Sequence, residues 1–169
     1  MSIAPPPSES AANAAQEPMR AFARSLPMAL LKAREAVMVR FRPMLRTHGL
    51  TEQQWRVLRA MSAAERRLRP MELAQMTFIS MPSLSRLRKT LEGRDLIVRS
   101  RHASDQRGAE FGLTKAGHAM VAEIAPDSER TYTEIEQIVG IANVAQLYQV
   151  LDQVIQRLGE PSCDELGNE

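Results

Sequence analysis

Apolar side chains recur along most of this chain at spacings of three and four, and the pattern changes to alternation only once, near residue 97. The first periodic run covers about 26–46. Leu30, Leu31, Val37, Met38, Phe41 and Leu45 give that helix an apolar side broader than one stripe, and Gly49 after His48 supplies a left-handed stop. Pro43 removes one backbone donor and predicts a kink near the end. Thr51-Glu52-Gln53-Gln54 reads as a capping box opening a second helix, to about residue 62, with Trp55, Leu58 and Met61 facing the core. Pro70 starts a short third helix, and Thr77-Phe78-Ile79 links it to a fourth. In the fourth, Ser80 is the expected N-cap, Pro82 fits the first turn, and Leu84, Leu87 and Leu91 form one narrow stripe. Ser83, Ser85, Arg86, Arg88 and Lys89 occupy the rest of its surface.

The alternation begins at Leu96-Ile97-Val98 and runs into Arg99 and Arg101. A polar turn over 102–108 and a return strand over 110–113 complete a two-stranded hairpin, which must lean on the helices before it. From Thr114 the helical period returns through Met120, Ile124, Ile135 and Val139, with Pro126 a candidate bend, and again from Val144 to Leu158. In the last helix Leu147, Leu151, Val154, Ile155 and Leu158 share a wide apolar face. A face so apolar at the end of a small domain needs a cover, and a second copy packed across a two-fold axis is the economical one, joined by the residues before Leu31. The expected fold is mainly α: a winged helix-turn-helix with a small β-hairpin wing and flanking dimerisation helices.

Charge sharpens the picture because it is unevenly placed. Net charge is +2, yet residues 20–115 carry 20 Lys and Arg against 8 Asp and Glu, whereas 116–169 carry 2 against 10. A basic block that contains the polar fourth helix is the footprint of a polyanion binder. At 169 residues and 44% hydrophobic the chain suits one domain, 23–160, with the DNA-binding lobe at about 50–117. Residues 1–22, rich in Pro, Ser and Ala and without a signal-peptide pattern, are expected to be a disordered arm, and 161–169 an acidic tail. No apolar run approaches membrane-spanning length, and the lone Cys163 fits a reducing compartment, so a cytoplasmic protein is expected.

Candidate chemistry is sparse. There is no G-x-S-x-G, phosphate-cradling glycine loop, H-E-x-x-H or C-x-x-C, and His48, His102 and His118 lack metal-ligand spacing, so neither catalysis nor a metal or cofactor is expected. Cys163 sits among Glu160, Asp164 and Glu165, which oppose the depressed pKa a redox sensor requires. The constellation with chemical content is Ser80, Pro82, Ser83, Ser85, Arg86, Arg88, Lys89, Arg101 and Arg107: small polar residues at a helix start, followed by arginines on helix and wing. These are the expected contacts to duplex DNA, and paired copies would read a pseudo-palindrome with half-sites about one helical turn apart.

The run from Leu84 to Gly117, with its L-S-R-L, D-L-I-V-R, S-D-Q-R and L-T-K-A-G segments, resembles the winged-helix core of the MarR family of transcriptional regulators. The stretch from Leu26 to Met61 is similar, more narrowly, to members that repress homoprotocatechuate-degradation operons. The resemblance implies that Asp105 braces the wing and that Arg107 reaches a minor groove. It also implies a pocket for a small aromatic acid between the dimerisation helices and the DNA-binding lobe, whose binding releases the repressor. Met28, Leu31 and Met38 are the expected apolar contacts, Arg34 the carboxylate fork, and His48 and Trp55 the partners of the ring. A ligand-insensitive architectural or activating DNA binder is the alternative.

Overall fold

The computed structural model describes residues 19–101 and 109–159; Asp105, Arg107, His102, Cys163, most of the expected arm and the acidic tail lie outside the described residues. The chain divides into two units after Ala36. In the first, a 3-10 turn at Phe22–Arg24, held by Ser25 Oγ donating to the Phe22 carbonyl at 3.0 Å, leads into helix α1 (Leu26–Thr47). Leu26, Leu30 and Leu31 are exposed there, and Arg34 lies 2.6 Å from Glu35.

The second unit holds the core. The later part of α1 buries Phe41 and Leu45 and is followed by α2 (Glu52–Ala64), α3 (Pro70–Thr77), α4 (Met81–Gly93), β1 (Ile97–Arg101), β2 (Ala109–Leu113), α5 (Lys115–Val139) and α6 (Ile141–Leu158). Pro43 and Pro126 both sit inside continuous helices. Leu45, Leu50, Leu58, Leu68, Leu73, Leu84, Leu91, Phe111 and Ile124 form a single cluster, so α1 to α5 all meet the same core, to which α6 contributes no buried residue.

Helix ends follow from their caps. The Leu50 N–H bonds the Leu45 carbonyl at 2.9 Å and the Gly49 N–H the Arg46 carbonyl at 3.0 Å, with Gly49 at φ +62°, which closes α1 in a Schellman motif. The end of α4 repeats this pairing through Leu96–Leu91 and Asp95–Glu92, and Asp95 takes the left-handed position at φ +54°. Thr51 and Gln54 make the expected capping box on α2. At α3, Glu72 reaches back to the Arg69 N–H at 2.6 Å and accepts from Arg66 at 2.8 Å. The Arg66 hydrogen bond, and then the Arg69 N–H, hold the Glu72 carboxyl below its ordinary value, so that this contribution is present above the usual glutamate range and fades as pH falls through the lowered one.

Three details differ from the sequence reading. The sheet gains a third segment: Leu68 exchanges two 2.9 Å backbone bonds with Phe111, since the straight link between α2 and α3 runs alongside β2. α6 starts at Ile141 rather than Val144, because Gly140 at φ +95° turns the chain by itself and the helix resumes at once. Ser80 occupies the N-cap position of α4, but its hydroxyl bonds the Ser83 hydroxyl at 3.1 Å instead of a backbone N–H.

The hairpin is antiparallel, with Arg99 opposite Phe111 and Ile97 opposite Leu113. Its root is clamped to α5: the Thr114 hydroxyl donates to the Asp95 carbonyl at 2.5 Å and accepts from the Gly117 N–H at 3.0 Å. Gly117 packs so closely that a Cβ there would collide with the Leu96 carbonyl. Gly117→Ala is therefore expected to lower stability by about 2–3 kcal/mol, as overpacking against rigid backbone does, measured as a shift of the urea midpoint at unchanged slope.

Candidate nucleic-acid interface

Three turns of α4 determine what its outer face can do. Leu84 and Leu91 are buried and Leu87 half-buried, which turns Pro82, Arg86, Lys89 and Thr90 outward. Ser83 and Ser85 are half-buried beside them. Because Ser80 is engaged with Ser83 and Pro82 has no N–H, the opening N–H groups of α4 receive no side-chain cap. An uncapped helix start with short side chains, next to Arg86 and Lys89, suits a phosphate at the N-terminus and base edges along the exposed face. Arg99 on β1 is exposed; Arg101 closes the strand, and its side chain lies outside what is described.

Arg88 points elsewhere. Its guanidinium carbon lies 3.9 Å from the centre of the Phe111 ring, a cation–π stack that joins α4 to the wing strand. Burial lowers its pKa from the ordinary arginine value; Glu92 counters this and Arg99 adds to it. Arg94, just past α4, donates to the carbonyls of Gly49 at 2.8 Å and His48 at 3.4 Å and so ties the end of the recognition helix to the corner after α1.

The residues singled out for an effector do not behave alike. Met28 and Met38 are half-buried, Leu31 is exposed, and Arg34 is engaged with Glu35. His48 Nδ1 lies 3.4 Å from Glu123. Trp55, 7% exposed, forms one wall of a cavity of about 200 Å³ between α2 and α5, with Arg59, Ser62, Val121, Ser128 and Glu129 around it. Arg59 lies 6.0 Å from the Trp55 ring and 5.9 Å from that of Tyr132, and it donates to the Tyr132 hydroxyl at 2.9 Å. Phe41 meets Tyr132 edge-on at 4.9 Å and fixes that ring. Ser128 is 2% exposed, and its hydroxyl has no hydrogen-bond partner among the described residues. Arg59, Ser128 and Tyr132 escape the sequence reading, although Arg59 stands four residues after Trp55 and so shares its face. Among the described residues no three His, Cys, Asp or Glu side chains are grouped to hold a metal, and no single helix is long and apolar enough to cross a membrane.

A helix-turn-helix whose second helix presents a basic outer face, followed by an antiparallel hairpin, defines a winged-helix DNA-binding module. The model of the MarR family matches residues 48–108. The homoprotocatechuate degradative operon repressor of Escherichia coli is 37% identical over 131 residues, which cover 78% of this chain and 88% of that protein. The structure of NadR in complex with 4-hydroxyphenylacetate is 32% identical, with a TM-score of 0.69 over 82% of this chain and 97% of NadR. The repressor CouR bound to a 23-mer DNA duplex is 27% identical, with a TM-score of 0.72 over 82% of this chain and 98% of CouR. The chain belongs to the MarR family of transcriptional regulators.

Arg86 and Arg88 are expected to separate by experiment. Arg86→Ala should weaken duplex binding by about 1–3 kcal/mol if it reads a base, with the melting temperature unchanged. Arg88→Ala should lose up to about 2 kcal/mol of stability through the lost stack. Fluorescence anisotropy and thermal melts on the two variants check this.

Proposed function

We propose that this chain is a homodimeric repressor that holds a pseudo-palindromic operator, in the cytoplasm, and leaves it when a phenolic acid binds. The observation that carries the reading is that α2, which lines the cavity, also holds the end of α3 just before the turn into α4. One helix, α2, lines the cavity with Trp55 and Arg59, and from another face its Arg56 guanidinium donates to the Thr77 carbonyl at 3.0 Å, at the end of α3 before the turn into α4. A ligand that shifts α2 therefore acts on the turn before the recognition helix.

The cavity's chemistry suits an aromatic acid. Arg59 is the cation for a carboxylate, Trp55 is a flat apolar wall, and the unpartnered Ser128 hydroxyl is a buried hydrogen-bonding group that a phenolic oxygen would satisfy. Glu129 at the edge disfavours a second anionic group. The 4-hydroxyphenylacetate bound to NadR and the homoprotocatechuate operon controlled by the Escherichia coli relative support the same ligand class and an aromatic-catabolism operon as target. Release requires that ligand favour a dimer geometry in which the two α4 helices no longer match successive major grooves, since a ligand shifts an equilibrium only by its difference in affinity for the two states.

The dimer is carried by α6. None of its residues is buried, and its apolar side is bare, with Leu147 50% and Leu158 79% exposed and Leu151 and Val154 half-covered. α6 leaves α5 at 101°.

Two variants test the reading. Arg59→Gln should keep operator affinity and lose release by 4-hydroxyphenylacetate, because the contact exists only with ligand bound. If instead Arg34→Ala loses the response and Arg59→Gln keeps it in parallel calorimetric and anisotropy titrations, the carboxylate belongs with α1. Leu151→Asp should abolish the dimer and operator binding together by burying an unpaired charge; a variant still dimeric by sedimentation at micromolar concentration removes α6 from the interface.

A further inference from the structure

Phe78 is an expensive residue where it stands. It ends α3 at φ 50° and ψ 43°, a left-handed conformation that a bulky side chain rarely adopts and that glycine would hold without strain. Its neighbours account for the backbone. Thr77 is fully buried with its hydroxyl donating to the Leu73 carbonyl at 2.6 Å, Ile79 is sealed in the core, and Arg56 holds the Thr77 carbonyl. With both flanking side chains anchored inward, the turn sends Phe78 outward, and it is 48% exposed. Met76 and Met81 on either side are exposed as well, so the head of the basic recognition helix carries an apolar tip. Strain at a solvent-facing aromatic finds no reward in the fold of the lobe, and such positions collect where a ligand uses them.

We infer that Phe78, with Met81 beside it, reads thymine. The inference rests on the DNA-binding reading and deepens it. The tip is continuous with the uncapped start of α4, two residues ahead of Ser80, so whatever surface receives that helix start also meets Phe78. In the major groove the base edges offer hydrogen-bond donors and acceptors, which a phenyl ring and a thioether cannot answer, and one apolar group, the thymine C5-methyl. Packing on that methyl gives the strained aromatic a use that polar or glycine residues could not serve. Each half-site should then hold one thymine whose methyl contributes to affinity.

The test removes that methyl without touching the protein. Duplexes of roughly 25 base pairs, long enough for two half-sites, are selected from a randomised library by wild-type protein, and each thymine is replaced singly by uracil. One position per half-site should lose about fourfold in affinity, the worth of one buried methyl, and Phe78→Ala should bind that duplex weakly but be indifferent to the same replacement. A flat uracil scan with wild-type protein overturns the inference with no variant needed. So does a sensitive thymine that stays equally sensitive in Phe78→Ala, which would give the methyl to another residue. A Phe78→Ala protein that binds the thymine-containing duplex as tightly as wild type would also overturn it. Selection of no duplex at all sinks the DNA-binding reading itself, whereas Arg86-dependent binding with a flat scan leaves that reading intact and removes only the role of Phe78.

Discussion

The backbone of Phe111 is where the lobe is joined. On one side it exchanges hydrogen bonds with Leu68, in the link between α2 and α3, and on the other it pairs with Arg99 in the hairpin. Its fully buried ring receives the guanidinium of Arg88 from α4. A two-stranded hairpin has too little apolar surface to hold itself in place, so the direction of the wing depends on these contacts and on the clamp at Thr114 and Gly117. The same residue thus relates the wing strand to α4. An arginine serves this joint better than an aliphatic residue, since its planar head stacks on the ring while its charge stays beside Glu92.

α2 performs the second mechanical task. Its inner face contributes Val57, Leu58 and Met61 to the core, and its two arginines make different contacts: Arg59 with Trp55 and Tyr132, Arg56 with the Thr77 carbonyl at the end of α3. One element thus both lines the cavity and holds the end of α3 before the turn into α4, which is the coupling that the proposed function uses. Among the described residues the Ser128 hydroxyl has no partner, and in the proposed function a ligand that satisfies it would contribute to the difference in affinity that drives release.

Much of this architecture is legible in the residue pattern, and the exceptions have physical reasons. The helices follow from the three-and-four spacing of leucines, and their ends from Gly49, the Thr51–Gln54 box and Pro70, because each satisfies backbone groups by local chemistry. Leu68 as a third sheet segment is not legible, since one pair of residues gives no alternation to detect. Arg88 carries a signal in its spacing: it stands four residues after Leu84 and three before Leu91, on the apolar stripe rather than opposite it. Arg59 is marked only by sharing a face with Trp55, and Arg34 offers the same chemistry until Glu35 is seen to occupy it. Ser128 has no mark at all, for an unpaired hydroxyl is a property of its surroundings.

The elbow at Gly140 has a consequence for the cell rather than for the site. By turning α6 away at 101° it leaves the final helix without a buried residue, and in the proposed function another copy completes its apolar side. The folded population of such a protein rises with its own abundance, because association draws chains out of the unfolded pool. In that assembly, folded abundance and operator occupancy would rise together as the concentration of chain rises.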